Sequence, residues 1–600
     1  MVSKENRVCL HIYLSRNQLI RCVLIKEIKE DSMKRIMMFI YLLIMAIGLM
    51  AQTAVQPEGA GTEGNPYQIA NWQNLYWISQ NSSSWDKHFL QTADIDFADA
   101  TPAIETWDDG KGWTPIGLLN LRFSGKYDGD NKTISGLFIN YPIIEFPLTD
   151  KIGLFGRITP EAEIKNLGLI FVNVTGDSFV GGLVGYNLGK ITNCYSTGNV
   201  TGDIDAGGLI GVSIDGVIND CYSTVNVTGN GSSGGLVGYG NNNIINDCYS
   251  SGNVTGYVSG GLVGVLIHSS ITNCKSTGDV TGSLHSGGLV GSTYYCTIKN
   301  SNSSGAVIGN NYTGGLIGKQ KGGIINNCNN TGNVSGGDDY TGGLVGYSFD
   351  GFIVYCYNTG IVIGEESIGG LVGCQDLGDI ENCYSTGSVT GNNSIGGLIG
   401  INLGGFITKC FSSGNVTGDN FIGGLIGVND SGTIENSFWD IETSGQSTSE
   451  GGTGKTTVQM KTQSTYTDAG WRFPQIWLIS SDINDGYPYL NYQNIVPNDD
   501  VTMETPSLTT AVLHSAYPNP FNPSTTISFD LSKPETVKIE IYNIKGQFVK
   551  QLTNKAYDKG KHSLVWDGKN NKNTNCGTGI YFYRMTVGKT TQSKKMMLIK

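Results

Sequence analysis

Six histidines, thirteen cysteines and an excess of carboxylates are the groups in this 600-residue chain that could do chemistry. The histidines are His11, His88, His268, His285, His514 and His562, and none stands in an HExxH pair that would hold a catalytic zinc. Sugar-cleaving chemistry needs two converging carboxylates. Asp203, Asp205, Asp338, Asp339, Glu365 and Glu366 instead fall in turns of different copies of a repeat and read as solvated turn residues. The GGTGKT run at 451–456 fails as a phosphate loop, because Ser449 stands where the first glycine is needed. DGDN at 128–131 does not make an EF-hand and reads as a hairpin turn. Eight cysteines, Cys194, Cys221, Cys248, Cys274, Cys328, Cys356, Cys383 and Cys410, recur at one repeat position, where Ser301, Ser437 and Leu167 replace them. Exchange with Ser and Leu points to small packing residues, since a metal or redox site would not tolerate it. Cys296, Cys374 and Cys576 lie off this position. The expectation is a non-enzyme with no cofactor and no metal.

One stripe has binding potential. The residue after each cysteine position is Tyr195, Tyr222, Tyr249, Lys275, Asn302, Asn329, Tyr357, Tyr384, Phe411 or Phe438. Neighbours along a strand face opposite ways, so an inward cysteine sends this residue outward. The chain then displays two aromatic patches with a polar gap between them. Tyr195, Tyr222, Tyr249, Tyr357, Tyr384 and Phe411 are the candidate ligand-facing set, able to hold glycan or protein. The alternative is that they stack only on one another and stabilise the fold.

The elements that must position this stripe come from a repeat. Glycine pairs begin at Gly181, Gly207, Gly234, Gly260, Gly287, Gly314, Gly342, Gly369, Gly396 and Gly423, at gaps of 26 to 28 residues. Each pair opens a GGL[VI]G run, followed by Ile, Cys and Val positions in short β-branched segments bounded by Gly, Asn and Ser. Such segments read as strands, and a fixed period of this length means stacked units. Three strands and three turns per unit make one coil of a parallel β-helix. Eleven coils, counting a degenerate one at Ile152 to Gly156, give a rod ~50 Å long at ~4.8 Å per strand. Ile and Cys lie three apart, which strict alternation would place on opposite faces. Asn or Asp precedes most of the cysteine positions, for example Asn193, Asp220 and Asn273, and tolerates the left-handed bend that resets the alternation. Tyr355 and Lys409 are the departures.

The repeat resembles the GLUG motif, and its asparagine positions resemble the asparagine ladder of right-handed parallel β-helices. The GLUG resemblance covers roughly residues 152–440 and implies a bacterial surface protein, such as an adhesin.

The rest of the chain frames this rod. Met33-Lys34-Arg35, the apolar run Ile36–Met50 and Ala51 read as a secretory signal at 33–51, leaving residues 1–32 as a mis-annotated upstream extension. Residues 52–150 read as an N-terminal cap and irregular first coils, with a helix over Ala70–Gln80 that turns Leu75, Trp77 and Ile78 inward. Residues 151–440 are the repeat rod, 441–495 an aromatic C-terminal cap that starts where the last coil breaks at Phe438–Asp440, and 496–512 a linker. The strands of 513–600 alternate as in a small Ig-like β-sandwich. This segment resembles the type A C-terminal sorting domain of the type IX secretion system, through YPNPFNP, IYN-x-x-GQ-x-V, WDG, GIYFY and the KKMMLIK ending. The resemblance implies Sec export, passage across an outer membrane by the type IX machinery, and attachment to surface lipopolysaccharide or release. Net charge is −12 and no basic patch marks the repeats, which argues against nucleic acid.

The fold expected is all-β: a right-handed parallel β-helix of about 11 coils of ~27 residues, then an Ig-like β-sandwich. The function expected is a secreted or cell-surface, non-catalytic repeat protein for adhesion or for glycan or matrix binding. The alternative is a secreted carbohydrate-active enzyme, a lyase or glycosidase, on the same scaffold.

Overall fold

The computed structural model describes residues 52–118, 121–141, 151–494, 511–513, 516, 521–531, 533–543, 548–588 and 590–598. The signal at 33–51 and nearly all of the linker lie outside the described residues. The chain is all-β and forms two units, residues 1–494 and 495–600.

The first unit is a parallel β-solenoid of about eleven turns. The GLxG strands form one eleven-stranded sheet, from Phe155–Arg157 to Ile426–Asp430. Like residues stack in register: Ile191 on Ile218, Ile245 and Ile271, and Val200 on Val227 and Val254. The Leu, Ile, Val and Cys columns are buried, except that Ile434 in the last coil is only half-buried. Each buried aliphatic side chain contributes about 1.5–3 kcal/mol on leaving water, but only once the neighbouring coil covers it. The bend before each cysteine is left-handed, with φ of 52° at Asn193, 53° at Asp220 and 55° at Asn273, and even Tyr355 and Lys409 adopt it at 54° and 52°. Exposed Asn side chains bond along this column, as from Asn193 Nδ2 to Asn166 Oδ1 at 2.8 Å and from Asn300 Nδ2 to Asn273 Oδ1 at 3.2 Å.

The glycines of the motif are needed for close packing. A Cβ on Gly207 would lie 1.9 Å from the Ile210 carbonyl oxygen, and one on Gly238 would lie 2.7 Å from that of Gly211. Side chains two residues after the cysteine seal this corner from inside: Ser196 Oγ donates to the Gly208 carbonyl and Ser412 Oγ to that of Gly424, each at 2.7 Å. Asn358 Nδ2 does the same to Gly370 at 2.9 Å.

Three irregular coils precede the repeats, with Tyr67, Phe89, Tyr127 and Ile164 in successive register. The helix runs Trp72–Gln80, capped by Asn71 Oδ1, which accepts from Asn74 N. Its buried side chains are Trp72, Asn74, Leu75 and Ile78. Trp77 is only half-buried, because it falls on the flank of the helix, about 100° from Ile78, where it packs edge-on to Tyr67 at 5.4 Å; Trp72 packs against Trp107. DGDN at 128–131 is not a hairpin. The strand Lys126–Ser135 runs through it, with left-handed Asp130 and Asn131 forming a bulge in its parallel pairing to the next coil. The last coil ends at Phe438–Asp440, where the helix Ile441–Ser444 follows, but sheet pairing runs one strand further. This last-coil strand pairs with Phe411–Ser412 and with Thr453–Lys455 beyond it, and Trp439 fills the inside of the corner at Gly424.

Asp205 is not a solvated turn residue. It is 8% exposed, and burial raises its carboxyl to about 6, partly offset by a hydrogen bond with Ser232. The cysteines among the described residues are free thiols, and burial pushes those of Cys194 and Cys248 well up, which leaves these two protonated and unreactive. Cys296 and Cys374 are buried in the same unit.

The second unit pairs a three-stranded sheet, Ala511–Leu513, Thr525–Leu531 and Gly560–Trp566, with a four-stranded one, Glu535–Asn543, Phe548–Tyr557, Gly579–Val587 and Thr590–Leu598. All strand pairs within them are antiparallel. Ile527, Phe529, Ile539, Trp566 and Tyr583 fill its core. The first strand takes in Ala511 and Val512, which composition alone assigns to the linker, because they pair with Leu531 and Asp530.

Two outcomes follow. Gly291→Ala would put a Cβ 2.6 Å from the Gly264 carbonyl oxygen, whereas nothing lies within 4 Å of a Cβ on Gly64. Gly291→Ala is expected to lower stability by about 1–3 kcal/mol and Gly64→Ala by less than about 0.5 kcal/mol, read by thermal melting. For Asp205, the folded state binds its proton up to about pH 6, against 3.8 ordinarily. Stability contributed by this group therefore falls as pH rises from about 4 to 6 and is flat above. Asp205→Asn should raise stability at pH 7 by on the order of 1–3 kcal/mol and remove that part of the pH dependence in a melting series.

Candidate functional site

The outward stripe exists, and its two patches meet different fates. In the first, Tyr195 lies over Gly168 of the degenerate coil, where a Cβ would come within 2.3 Å of the ring. Tyr222 stacks on Tyr195 with ring centroids 4.6 Å apart and planes at 4°. Tyr222 is 39% exposed and Tyr195 half-buried. Burial and then the Tyr195 ring push the Tyr222 hydroxyl up to about 12, so it stays a neutral donor. Tyr249, next in register, turns its hydroxyl to Thr277 Oγ1 at 3.0 Å. Lys275, Asn302 and Asn329 continue the register as the polar gap.

The second patch does not face solvent. Tyr357, Tyr384 and Phe411 stack at 5.1 and 5.0 Å, but Tyr384 is 1% and Phe411 0% exposed. Their cover is the chain's own segment after the last repeat. Met460, Tyr466, Trp471, Trp477, Tyr487 and Leu490 form one apolar cluster with Tyr384, Phe411 and Phe438. Polar anchors hold it to the bend column: Trp477 Nε1 donates to Asn382 Oδ1 at 3.1 Å, Trp471 Nε1 to the Asn436 carbonyl at 2.8 Å and Tyr492 Oη to the Tyr355 carbonyl at 2.8 Å. Gln493 Nε2 reaches Tyr384 Oη at 2.7 Å. Tyr357 stays half-buried at the edge of this cluster, whereas for Tyr384 and Phe411 the outward direction holds and the ligand-facing exposure is corrected. These two leave the core but enter a second one, because residues 456–494 carry the aromatics to bury them. The segment is a flank cover as much as an end cap.

A second aromatic group, not found from the sequence, lies beside the GLxG sheet. Tyr312, Tyr340 and Tyr347 meet at centroid distances of 5.3 to 5.6 Å. Lys319 Nζ sits 5.0 Å from the Tyr312 centroid and 5.9 Å from that of Tyr347.

A pocket of about 370 Å³ opens among the irregular first coils, lined by Asp96, Phe97, Ile104, Glu105 and Phe171. Of its two carboxylates, Asp96 already accepts from Ala98 N at 2.9 Å. Among the described residues no three His, Cys, Asp or Glu side chains form a group that could hold a metal.

Against known proteins, residues 178–201, 256–281 and 364–390 match the GLUG motif, and residues 519–592 match the FlgD Ig-like domain. Halomucin of Haloquadratum walsbyi is 34% identical over 145 residues, 23% of this chain and 2% of that protein. A protein of Evansella cellulosilytica described as a Gly-rich membrane protein is 34% identical over 161 residues, 26% of this chain and 17% of that one. The chain thus spans a small part of the length of either relative. Among solved structures, dimeric latent PorU from Porphyromonas gingivalis aligns at 23% identity over 16% of this chain and 10% of its own, with a TM-score of 0.14. A protein of Bacteroides ovatus described as an immunoglobulin A1 protease aligns at 18% identity over 72% of this chain and 95% of its own, with a TM-score of 0.24. The chain carries GLUG-motif repeats followed by an Ig-like domain that matches the one in FlgD.

Proposed function

We propose that this chain is a secreted or cell-surface repeat protein that acts by displaying a binding face, not by catalysis, and that the Tyr195–Tyr222 stack is that face. One observation carries the reading. The same register position supports an aromatic stack twice along the rod, and the chain buries one stack under its own segment while leaving Tyr222 39% exposed. Stacked flat rings with neutral hydroxyls suit the apolar faces of sugar rings or a flat partner surface. The likeness of parts of this chain to halomucin and to a protein described as a membrane protein supports a place at the cell surface.

The two ends supply the route. The signal at 33–51 takes the chain across the inner membrane. Residues 513–600, with Trp566 of the WDG motif and Tyr583 of GIYFY in their core, engage the type IX machinery and leave the rod attached to surface lipopolysaccharide or released.

Two experiments test this. On a glycan array, the full chain is expected to bind a restricted set of glycans, and Tyr222→Ala to lose at least tenfold in affinity with an unchanged melting curve. Binding that survives Tyr222→Ala would move the site elsewhere. In a host with type IX secretion, a chain lacking 513–600 is expected to stop in the periplasm with its rod folded. Its arrival at the surface would remove the sorting role from that domain.

A further inference from the structure

Lys319 stands out on the GLxG sheet. In that column it follows Tyr239, Val265 and Ser292 and precedes Tyr347, Cys374 and Ile401. Lys319 is half-buried, and none of the ion pairs among the described residues involves it. In a chain of net charge −12, an ammonium without a carboxylate partner, partly withdrawn from water, is an unusual expense. Its surroundings are aromatic. Its Nζ lies over Tyr312 and Tyr347, at 5.0 and 5.9 Å.

The rings around it form a platform. Tyr312 and Tyr340 stack at 5.5 Å with planes at 26°. Tyr347 meets Tyr340 at 5.3 Å and Tyr312 edge-on at 5.6 Å. His285 abuts Tyr312 at 5.1 Å. Burial first, then the Lys319 charge, hold the His285 imidazole down to about 4, so it is neutral at ordinary pH and Lys319 is the cation of the group. Asp376 accepts the Tyr347 hydroxyl at 2.8 Å and orients that ring. Tyr312 and Tyr340 hold φ of 48° and 45°. The equivalent Phe179, Ser367, Ser394 and Phe421 hold the same left-handed backbone, with φ of 49° to 55°, so this corner of the coil is what aims the Tyr312 and Tyr340 rings. All three tyrosines keep part of their surface in solvent.

Flat rings offer stacking to the apolar face of a pyranose, and a single unpaired ammonium beside them offers charge to an acid group on that ring. We propose that Tyr312, Tyr340, Tyr347 and Lys319 form a binding site for an acidic pyranose, a sugar ring bearing a carboxylate, on a different face of the rod from the Tyr195–Tyr222 stack. The inference rests on the reading of the rod as a display surface but not on the Tyr222 patch. Nothing is cleaved: the site has a cation and stacking faces, with its nearby Asp376 engaged by Tyr347.

Titration of the full chain with an oligogalacturonate hexamer and with its methyl ester, in calcium-free buffer at pH 7, separates the two parts of the site. The ester keeps the ring and removes the charge. The acid is expected to bind at least tenfold more tightly than the ester. Lys319→Gln should bring the acid down to the level of the ester, and Tyr340→Phe should preserve binding while Tyr340→Ala weakens both ligands. Tyr222→Ala should leave all of these values unchanged. Equal binding of acid and ester, an acid affinity untouched by Lys319→Gln in a normally melting variant, or no binding of the acid would each overturn the proposal. Loss of acid binding in Tyr222→Ala with retention in Lys319→Gln would place acidic sugar on the other stack and overturn it too. Failure of Tyr222→Ala to affect the glycan array would instead sink only the reading of that first stack.

Discussion

At each corner of the solenoid one leucine carbonyl takes two hydrogen bonds from the coil before it. Leu209 N donates to the Leu236 carbonyl at 3.0 Å and Ile210 N to the same oxygen at 2.9 Å, and the pattern repeats through Leu262, Leu289, Leu316, Leu344, Leu371 and Leu398. This ladder closes only because two backbones meet with no Cβ between them. That is the physical content of GGLxG. The first and last glycines let the chain turn against its own carbonyl and against the preceding coil, and the leucine between them fills the core. Everything else inherits its register from this contact. Once the corners align, Ile stacks on Ile, Cys on Cys, and the residue after Cys forms an outward column whether or not its side chain has a use.

The columns were legible in the sequence because each obeys a rule that acts within one coil. Period, β-branching and inward leucines require strands. The three-residue gap from Ile to Cys requires a left-handed bend, and Asn193 and its equivalents take it. What was not legible depends on contacts across long separations. The cover on Tyr384 and Phe411 comes from residues such as Trp477 and Tyr492, 95 and 137 residues from their hydrogen-bond partners. Outward direction was read correctly there, but exposure did not follow from it. Asp205 misled for a like reason: a turn-like local sequence says nothing of the neighbouring coil that buries it. The DGDN bulge looked like a hairpin because the same left-handed Asp and Asn serve both. The Lys319 group is a single-copy variation on two columns that meet only through the corner, so no periodic reading of one column could find it.

The rod is therefore a register device on which single residues become surface features. Regular positions supply stability, and departures from regularity supply character: a glycine under Tyr195, a polar gap at Lys275 to Asn329, a cation among three tyrosines, a tryptophan plug at 439. Within the repeat, burial raises the Cys194 and Cys248 thiols, and Asp205 turns into the packing. Function on such a scaffold is a matter of which departures stay uncovered.

The most direct test of this account is peptide-resolved hydrogen exchange on the full chain. The corner amides of Leu209, Leu236, Leu262, Leu289, Leu316, Leu344, Leu371 and Leu398, each bonded to the next leucine carbonyl at 2.8 to 3.0 Å, should exchange more slowly than any turn amide and at similar rates along the rod. Fast exchange at these corners, or protection that is lost in some coils and kept in others, would contradict the claim that the corner contact sets the register of the whole solenoid.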